Sequence, residues 1–506
     1  MDAIVNAQSV ERWGMFEVSL NGKTDGNPFT DYAVHGTFRH KNETVEADGF
    51  YDGDGIYRVR CMPSFTGSYT FEVSGSALGA PATGSFEVVS PGEGNRGPVR
   101  VANNYHFAYE DSTPYYSIGT TCYVWTHQNQ QLRDQTLETL KNSAFNKIRF
   151  CIFPKHYIYN FHEPETYPYE GTPCDSSGLT RENFAYDSDF SGNDWDFTRF
   201  NPAHFQRIEY YIGELMKLGI EADLIVMHPY DRWGFSDMGK EADDLYWNYV
   251  VNRFSAFRNV WWSLANEFDL MRAKTIADWE RYAEIICRQD PYNHLRSIHN
   301  CGTIYDHTRP WITHCSYQRT DNYKTAEVTD GLRVRYGKPV VLDEICYEGD
   351  INNGWGNITA EELVRRFWEG ACRGGYPGHG ETYDRPDGIL WWSHGGVLHG
   401  QSPERFRFLL RILEETPGHG LKCVPLFTDC VTAVPDARQN DSGYHLIYYG
   451  FMRPSYRIFH FDDETDYKVE IIDTWGMTIQ DAGVHRGKFT IDLPAREYMA
   501  IRVRKA

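Results

Sequence analysis

Val260-Trp261-Trp262-Ser263-Leu264-Ala265-Asn266-Glu267 is the most informative segment of this chain. It is a mostly apolar run that ends in an amide and a carboxylate, which is typical of a buried parallel strand that reaches a polar rim. A second segment of the same form, Pro339-Val340-Val341-Leu342-Asp343-Glu344, ends in two carboxylates. The two segments therefore predict strands of one parallel sheet, with Glu267 and Glu344 at the strand ends.

Eight such apolar runs alternate with helical segments between about residues 100 and 416, and eight is the strand number of a (β/α)8 barrel. The runs are 115–125, 147–154, 220–228, 260–267, 295–301, 311–318, 339–346 and 388–394. Asn201-Pro202 predicts the start of one helix, and Thr359 with Glu362 predicts a capping box at the start of another. A last helix near Pro403–Glu415 completes the predicted α/β fold, a (β/α)8 TIM barrel.

Period-2 alternation of apolar residues marks the segments before and after the barrel as β-sandwiches. Tyr69 and Phe71 show this pattern near the N-terminus, and Phe489 and Ile491 show it near the C-terminus. The predicted domains are an N-terminal β-sandwich over residues 1–95, the barrel over 96–416 and a C-terminal β-sandwich over 417–506. We expect the two sandwiches to brace the barrel rather than to bind glycan, because no exposed aromatic row stands out.

The charge balance argues against nucleic acid and anionic membranes as partners. Lys and Arg number 50 against 70 Asp and Glu, so the net charge is -20, and like charges repel. No run of about 18 apolar residues that could cross a bilayer occurs in the sequence. The 11 cysteines show neither CxxC nor Cys/His zinc spacing. We therefore expect no disulfide framework and no metal, and a cytoplasmic location.

Glu267 and Glu344 are the candidate catalytic residues, because barrel enzymes carry their chemistry at the carboxyl ends of the strands. Glycoside hydrolysis needs one carboxylic acid to protonate the leaving oxygen and a second carboxylate to attack the anomeric carbon or activate water. A separation of about 5–5.5 Å between the carboxyls is typical of retention, and about 6.5–9.5 Å of inversion. The sequence leaves that choice open.

Four features on separate strands together resemble glycoside hydrolase clan A: Asn266-Glu267 on the fourth, Glu344 on the seventh, Arg149 on the second and Trp391-Trp392 on the eighth. Two longer segments, 145–155 and 222–234, resemble a bacterial branch related to apiosidases that carries sandwich domains before and after its barrel. The resemblance covers nearly the whole chain. It implies a retaining mechanism, with Glu267 as acid/base and Glu344 as nucleophile.

Further residues near the strand ends are candidates for substrate binding. Arg149 is expected to hydrogen-bond the nucleophile or to form a structural salt bridge, and Asn266 to hold the sugar 2-hydroxyl or to cap a loop. One of Trp391 and Trp392 is expected to floor the sugar site, because strand side chains alternate. The remaining candidates offer hydrogen bonds or stacking faces: His228, Tyr230, Asp231, Trp233, His299, Tyr317, Gln318 and Trp125. Tyr317 is a candidate partner of Glu344, and His314 is placed at mid-strand.

The predicted function is an exo-acting glycosidase that binds an oligosaccharide and needs no cofactor. A metal-dependent barrel hydrolase is disfavoured because the first run lacks the His-x-His pair of amidohydrolases. A transglycosidase and a non-catalytic carbohydrate-binding protein remain alternatives. The clan implies an equatorially linked D-pyranoside, with apiosides or arabinofuranosides as alternatives, while the sugar itself and a homo-oligomeric state stay open.

Overall fold

The computed structural model describes residues 4–186, 189–321, 324–424, 430–437 and 443–506. The chain divides into two compact units. The first comprises Met1–Val99, Tyr123–Arg133 and Arg149–Ile298, and the second comprises Arg100–Cys122, Asp134–Ile148 and His299–Ala506. In the described residues, no helix is long and apolar enough to cross a membrane.

The N-terminal segment forms two facing sheets. Its strands are β1 Ile4–Val5, β2 Ser9–Glu11, β3 Phe16–Asn21, β4 His35–His40, β5 Glu43–Asp48, β6 Phe50–Tyr51, β7 Ile56–Cys61, β8 Gly67–Ser74 and β9 Ala82–Val89. One sheet has the order β1-β3-β7-β6 and the other β2-β9-β8-β4-β5. The rings of Phe16 and Phe86 stack at 3.7 Å in the shared core. This is the predicted N-terminal β-sandwich.

The central segment carries the barrel. Its strands are β10 Val99–Ala102, β11 His106–Tyr109, β12 Pro114–Tyr115, β13 Gly119–Thr121, β14 Lys147–Cys151, β15 Tyr169–Thr172, β16 Asp194–Phe200, β17 Glu221–Met227, β18 Val260–Ala265, β19 Arg296–Ser297, β20 Cys315–Gln318, β21 Val340–Glu344, β22 Glu348–Gly349, β23 Tyr376–His379 and β24 Glu381–Thr382. Eight of them form one sheet in the order β19-β18-β17-β14-β13-β23-β21-β20. Along the chain each of the eight neighbours the next, except that β19 and β20 stand at the two ends of this order. The last strand, β23, pairs in parallel with the first, β13. The predicted (β/α)8 barrel is confirmed.

Helices follow most of these strands. They are α1 Gln130–Asn142, α2 Pro202–Lys217, α3 Lys240–Phe254, α4 Ile276–Gln289, α5 Thr329–Tyr336, α6 Ala360–Cys372, α7 Trp391–His394 and α8 Ser402–Glu414. Asn201 caps α2 as predicted, because its side chain accepts from the Ala203 amide. Thr359 caps α6 through the Glu362 amide, whereas the Glu362 carboxylate pairs with Arg365 and Arg366. The second half of the predicted capping box is therefore replaced by ion pairs.

The predicted eighth strand is wrong. Residues 388–394 include the short helix α7, which holds Trp391 and Trp392, and the eighth strand is Tyr376–His379. Pro377 and Gly378 resemble a turn in sequence. Gly378 is needed here because a Cβ would lie 2.7 Å from the Asp343 carbonyl oxygen of the neighbouring strand. The prediction that His314 lies at mid-strand is also wrong, because β20 begins one residue later, at Cys315.

The C-terminal segment forms a second pair of sheets. Its strands are β25 Leu421–Val424, β26 Val431–Pro435, β27 His445–Tyr448, β28 Tyr456–His460, β29 Tyr467–Asp473, β30 Thr478–His485, β31 Lys488–Asp492 and β32 Met499–Lys505. The larger sheet has the order β25-β26-β27-β32-β29-β30, and β28 pairs with β31. Phe459 and Val469 lie in one core between them, as a β-sandwich requires. The domain boundaries at 95 and 416 stay predictions.

Buried ion pairs join the N-terminal sandwich to helices of the first unit. Arg253 of α3 is fully buried and contacts Asp52 and Glu209 at 2.7 Å each. Arg60 of β7 also pairs with Glu209 and donates to the Arg253 carbonyl oxygen at 2.6 Å. Burial raises the pKa of Asp52, but Arg253 and Arg58 outweigh it and hold that pKa below its usual range. These contacts support the expected bracing role.

Arg253→Met tests that bracing. Removing one partner of a buried pair leaves uncompensated charge, so the free energy of unfolding is expected to fall by about 3 kcal/mol. Scanning calorimetry measures the change as a lower melting temperature. Lys217→Met is the control, because Lys217 belongs to an exposed pair and is expected to cost less than about 1 kcal/mol. Equal shifts for the two variants would contradict the bracing role.

Candidate active site

Glu267 lies two residues beyond the end of β18 and has an unusual backbone. Its φ is 49° and its ψ 57°, in the left-handed region, and it precedes the 3-10 turn Phe268–Leu270. Residues other than glycine rarely adopt this conformation, which is often found at functional sites. The turn takes Glu267 out of the strand's alternation, so the surrounding side chains determine where its carboxylate points.

Two donors hold the Glu267 carboxylate on the same oxygen. The Tyr230 hydroxyl donates to Oε2, and Asn266 Nδ2 donates to Oε2 at 3.2 Å. The residue is 5% exposed, so it is nearly withdrawn from water yet hydrogen-bonded. Such a carboxyl group has a fixed orientation, which proton transfer to a bound substrate requires.

Asn266 is itself held by two donors, which settles the orientation of its amide. Its Oδ1 accepts from the Arg149 guanidinium at 2.8 Å and from the Tyr123 hydroxyl at 3.0 Å. With the oxygen so occupied, Nδ2 must face Glu267. Arg149 also donates to the Tyr123 hydroxyl at 3.1 Å. The sequence predicts Arg149, Asn266, Tyr230 and Glu267, and the structure brings these four together.

Lys155 is a buried cation that the sequence analysis missed. Its Nζ lies 3.4 Å from the ring centroid of Tyr123, 4.2 Å from that of Tyr230 and 5.2 Å from that of Tyr157. An ammonium over an aromatic face is attracted to the ring quadrupole, most strongly when desolvated. Lys155 therefore fixes the two tyrosines that donate to Asn266 and Glu267. A lysine directly after an apolar run is the one signal in the sequence, since buried lysines are rare.

Four other predicted residues of the first unit are buried, and their observed contacts support loops and the core. Burial, and then the Lys155 charge, lowers the pKa of His228 to about 3, and its Nε2 hydrogen-bonds the Phe153 carbonyl oxygen. Asp231 accepts from the Trp233 amide at 2.8 Å. The ring of Trp125 lies 4.9 Å from that of Tyr211. Direct contact of these residues with substrate stays a prediction.

Glu344 is the last residue of β21, in the second unit, and is 8% exposed. His299 Nε2 lies 3.9 Å from its Oε1, as expected of a neighbour at a strand end. Gln318 of β20 is the register partner of Glu344. Its backbone N–H donates to the side-chain oxygen Oδ1 of Asn300 at 3.3 Å. Tyr317 lies buried on the same strand, and its hydrogen bond to Glu344 stays a prediction.

Asp343 and the two tryptophans have structural contacts in the second unit. Asp343 is buried and pairs with Lys147 at 3.1 Å, which is a structural contact. Trp391 Nε1 donates to Thr120 Oγ1 at 2.8 Å. The Trp392 ring lies 4.9 Å from that of Trp355. Because both tryptophans lie in a helix, the strand-alternation argument that assigned one of them to the sugar site fails.

Comparisons with known proteins agree with this architecture. A family described as an apiosidase-like catalytic domain matches residues 101–397. Two families described as domains of unknown function, DUF5060 and DUF5605, match residues 9–76 and 433–504. No match is found among curated proteins.

Two solved structures illustrate the range of similarity. A protein of Bacteroides vulgatus ATCC 8482, provisionally described as a glycoside hydrolase, is 35% identical with a TM-score of 0.90, over 99% of this chain and 100% of its own. A glycoside hydrolase family 5 protein from the same organism is 14% identical with a TM-score of 0.59, over 81% of this chain and 94% of its own, and shows a shared fold alone.

The family match spans more than half of the chain, and the first of these structures extends the similarity over its full length. The chain therefore belongs to the apiosidase-like catalytic-domain family and is a glycoside hydrolase.

Proposed function

We propose that the protein is a retaining glycosidase in which Glu267 is the acid/base and Glu344 the nucleophile. The observation that carries the proposal is the fixed Glu267 carboxyl, which Tyr230 and Asn266 hold at the end of β18. Glu344 ends β21 of the same parallel sheet, and barrel chemistry takes place at the carboxyl ends of strands. The resemblance of the sequence to glycoside hydrolase clan A supports a retaining mechanism.

In the proposed first step, Glu344 attacks the anomeric carbon while Glu267 donates its proton to the leaving oxygen. The bond to the leaving group breaks, and a glycosyl ester of Glu344 forms. In the second step, the Glu267 carboxylate takes a proton from water, which attacks the ester and releases the sugar. The second hydrogen of Asn266 Nδ2 is the donor we assign to the sugar 2-hydroxyl.

We further propose exo-action on an oligosaccharide or another glycoside, so that each turnover releases one terminal sugar. The family description makes an apioside the first glycoside to test, beside arabinofuranosides and equatorially linked pyranosides. Release of a monosaccharide as the only early product supports exo-action, whereas early mid-chain fragments from a polymer would contradict it. The cytoplasmic location stays a proposal as well.

Replacing each glutamate by alanine separates the two roles. With a nitrophenyl glycoside that the wild type accepts, Glu344→Ala is expected to lower kcat by about 10³-fold or more, because the covalent step is lost. Azide should then restore turnover and yield a glycosyl azide of inverted configuration. With Glu267→Ala, azide should instead yield the retained configuration, because it intercepts the ester on Glu344.

Nuclear magnetic resonance of the azide products distinguishes these outcomes. The reverse pattern of configurations would exchange the two roles. Full activity of either variant, or a wild type that binds glycosides yet turns none over, would contradict the proposed function.

Lys155→Met tests whether the packing of Lys155 against Tyr123 and Tyr230 positions the Glu267 carboxyl. Proton donation matters for a poor leaving group and little for a good one. We therefore expect kcat/KM for a phenyl glycoside to fall by about 10- to 100-fold and that for a dinitrophenyl glycoside by less than about threefold. Lys141→Met, at an exposed helical position, is the control. Equal losses on the two substrates would show that Lys155 only maintains the fold.

A further inference from the structure

We propose that a cavity beside Glu267 is the leaving-group subsite, and that it prefers a flat apolar ring, such as a phenol, to a second sugar. The inference rests on the proposed function, because the acid/base role of Glu267 identifies which side of the scissile bond the cavity serves. It makes a glycoside with an apolar aglycone the preferred substrate class over a pure oligosaccharide.

The position of the cavity follows from the loops that enclose it. Its volume is about 640 Å³, and its walls come from the loops after β14, β17 and β18, including His156, Tyr230 and Leu270. Tyr230 both lines the cavity and donates to Glu267. A general acid protonates the oxygen between sugar and leaving group, so the leaving group lies on the side of the acid. The cavity is therefore placed for the aglycone.

Much of the lining is apolar. Phe190, Pro229, Leu270 and Met271 contribute to the walls, and Leu270 is 43% exposed. A large apolar side chain at the wall of a cavity is covered favourably by an apolar ligand, since each Å² removed from water contributes about 25 cal/mol. A flat ring of carbon atoms would gain from these contacts.

The buried carboxylate of the lining, that of Asp231, is already hydrogen-bonded to protein groups. Both oxygens of Asp231 accept hydrogen bonds within their own loop, from the Trp233 amide and from the backbone and hydroxyl of Ser236. Asp237 and Arg272 line the cavity as exposed residues. A sugar that enters loses the water bonded to its hydroxyls, and each buried hydroxyl without a new partner costs about 1–3 kcal/mol. The wall formed by Asp231 and the apolar residues beside it thus favours a ligand with few hydroxyls.

Paired substrates and variants test this preference. For the sugar that the wild type accepts, we expect kcat/KM for the 2-naphthyl glycoside to exceed that for the phenyl glycoside by about tenfold, because the added ring buries more apolar area. The two leaving groups have similar acidity, so chemistry alone predicts similar values. In Leu270→Asn the ratio should fall below about threefold. In Val334→Asn, a change at an exposed valine of α5, the wild-type ratio should persist.

A binding measurement separates failure of this inference from failure of the proposed function. Free 2-naphthol, followed by its fluorescence, should bind the wild type more tightly than Leu270→Asn by about tenfold, whether or not any glycoside is cleaved. Glucose should compete only weakly with it. Turnover without a naphthyl preference, or naphthol binding that Leu270→Asn does not change, would overturn the subsite and leave the glutamate roles intact.

Discussion

The Lys155 ammonium lies buried between the rings of Tyr123 and Tyr230. The position of Glu267, the proposed acid/base, depends on this interaction. Each ring carries a hydroxyl that continues the chain of contacts, one to Asn266 and the other to Glu267. The left-handed backbone of Glu267 frees its carboxyl from strand alternation. The direction of this carboxyl is therefore set by its hydrogen-bond donors. The tyrosines among these contacts are in turn held by the Lys155 cation, which packs against their rings.

Most of the barrel could be predicted from the sequence because parallel strands buried on both faces are continuous apolar runs. The runs that became β14, β17, β18 and β21 all have this form. The eighth strand could not be found in this way, since Pro377 and Gly378 give it the composition of a turn. What makes it a strand is the close approach of the Asp343 backbone, a tertiary constraint that no periodicity records.

The candidate site divides along the same line. Asn266 and Arg149 could be predicted to lie near Glu267 because a polar residue at the end of an apolar strand stands out. Tyr123 and Lys155 could not, because an aromatic cage around a cation forms only when separate loops meet. Asp231 was noticed for its position, but only its hydrogen bonds to Trp233 and Ser236 reveal that it braces the loop beside the cavity.

In the proposed mechanism, Glu344 carries a covalent glycosyl group during turnover. The most direct measurement is mass spectrometry of the protein after reaction with a 2-deoxy-2-fluoro glycosyl fluoride of the accepted sugar, which slows breakdown of the intermediate. We expect one added sugar, located by peptide fragmentation at Glu344. A label at another residue, or an enzyme that cleaves its glycoside with inversion and traps no sugar, would contradict it.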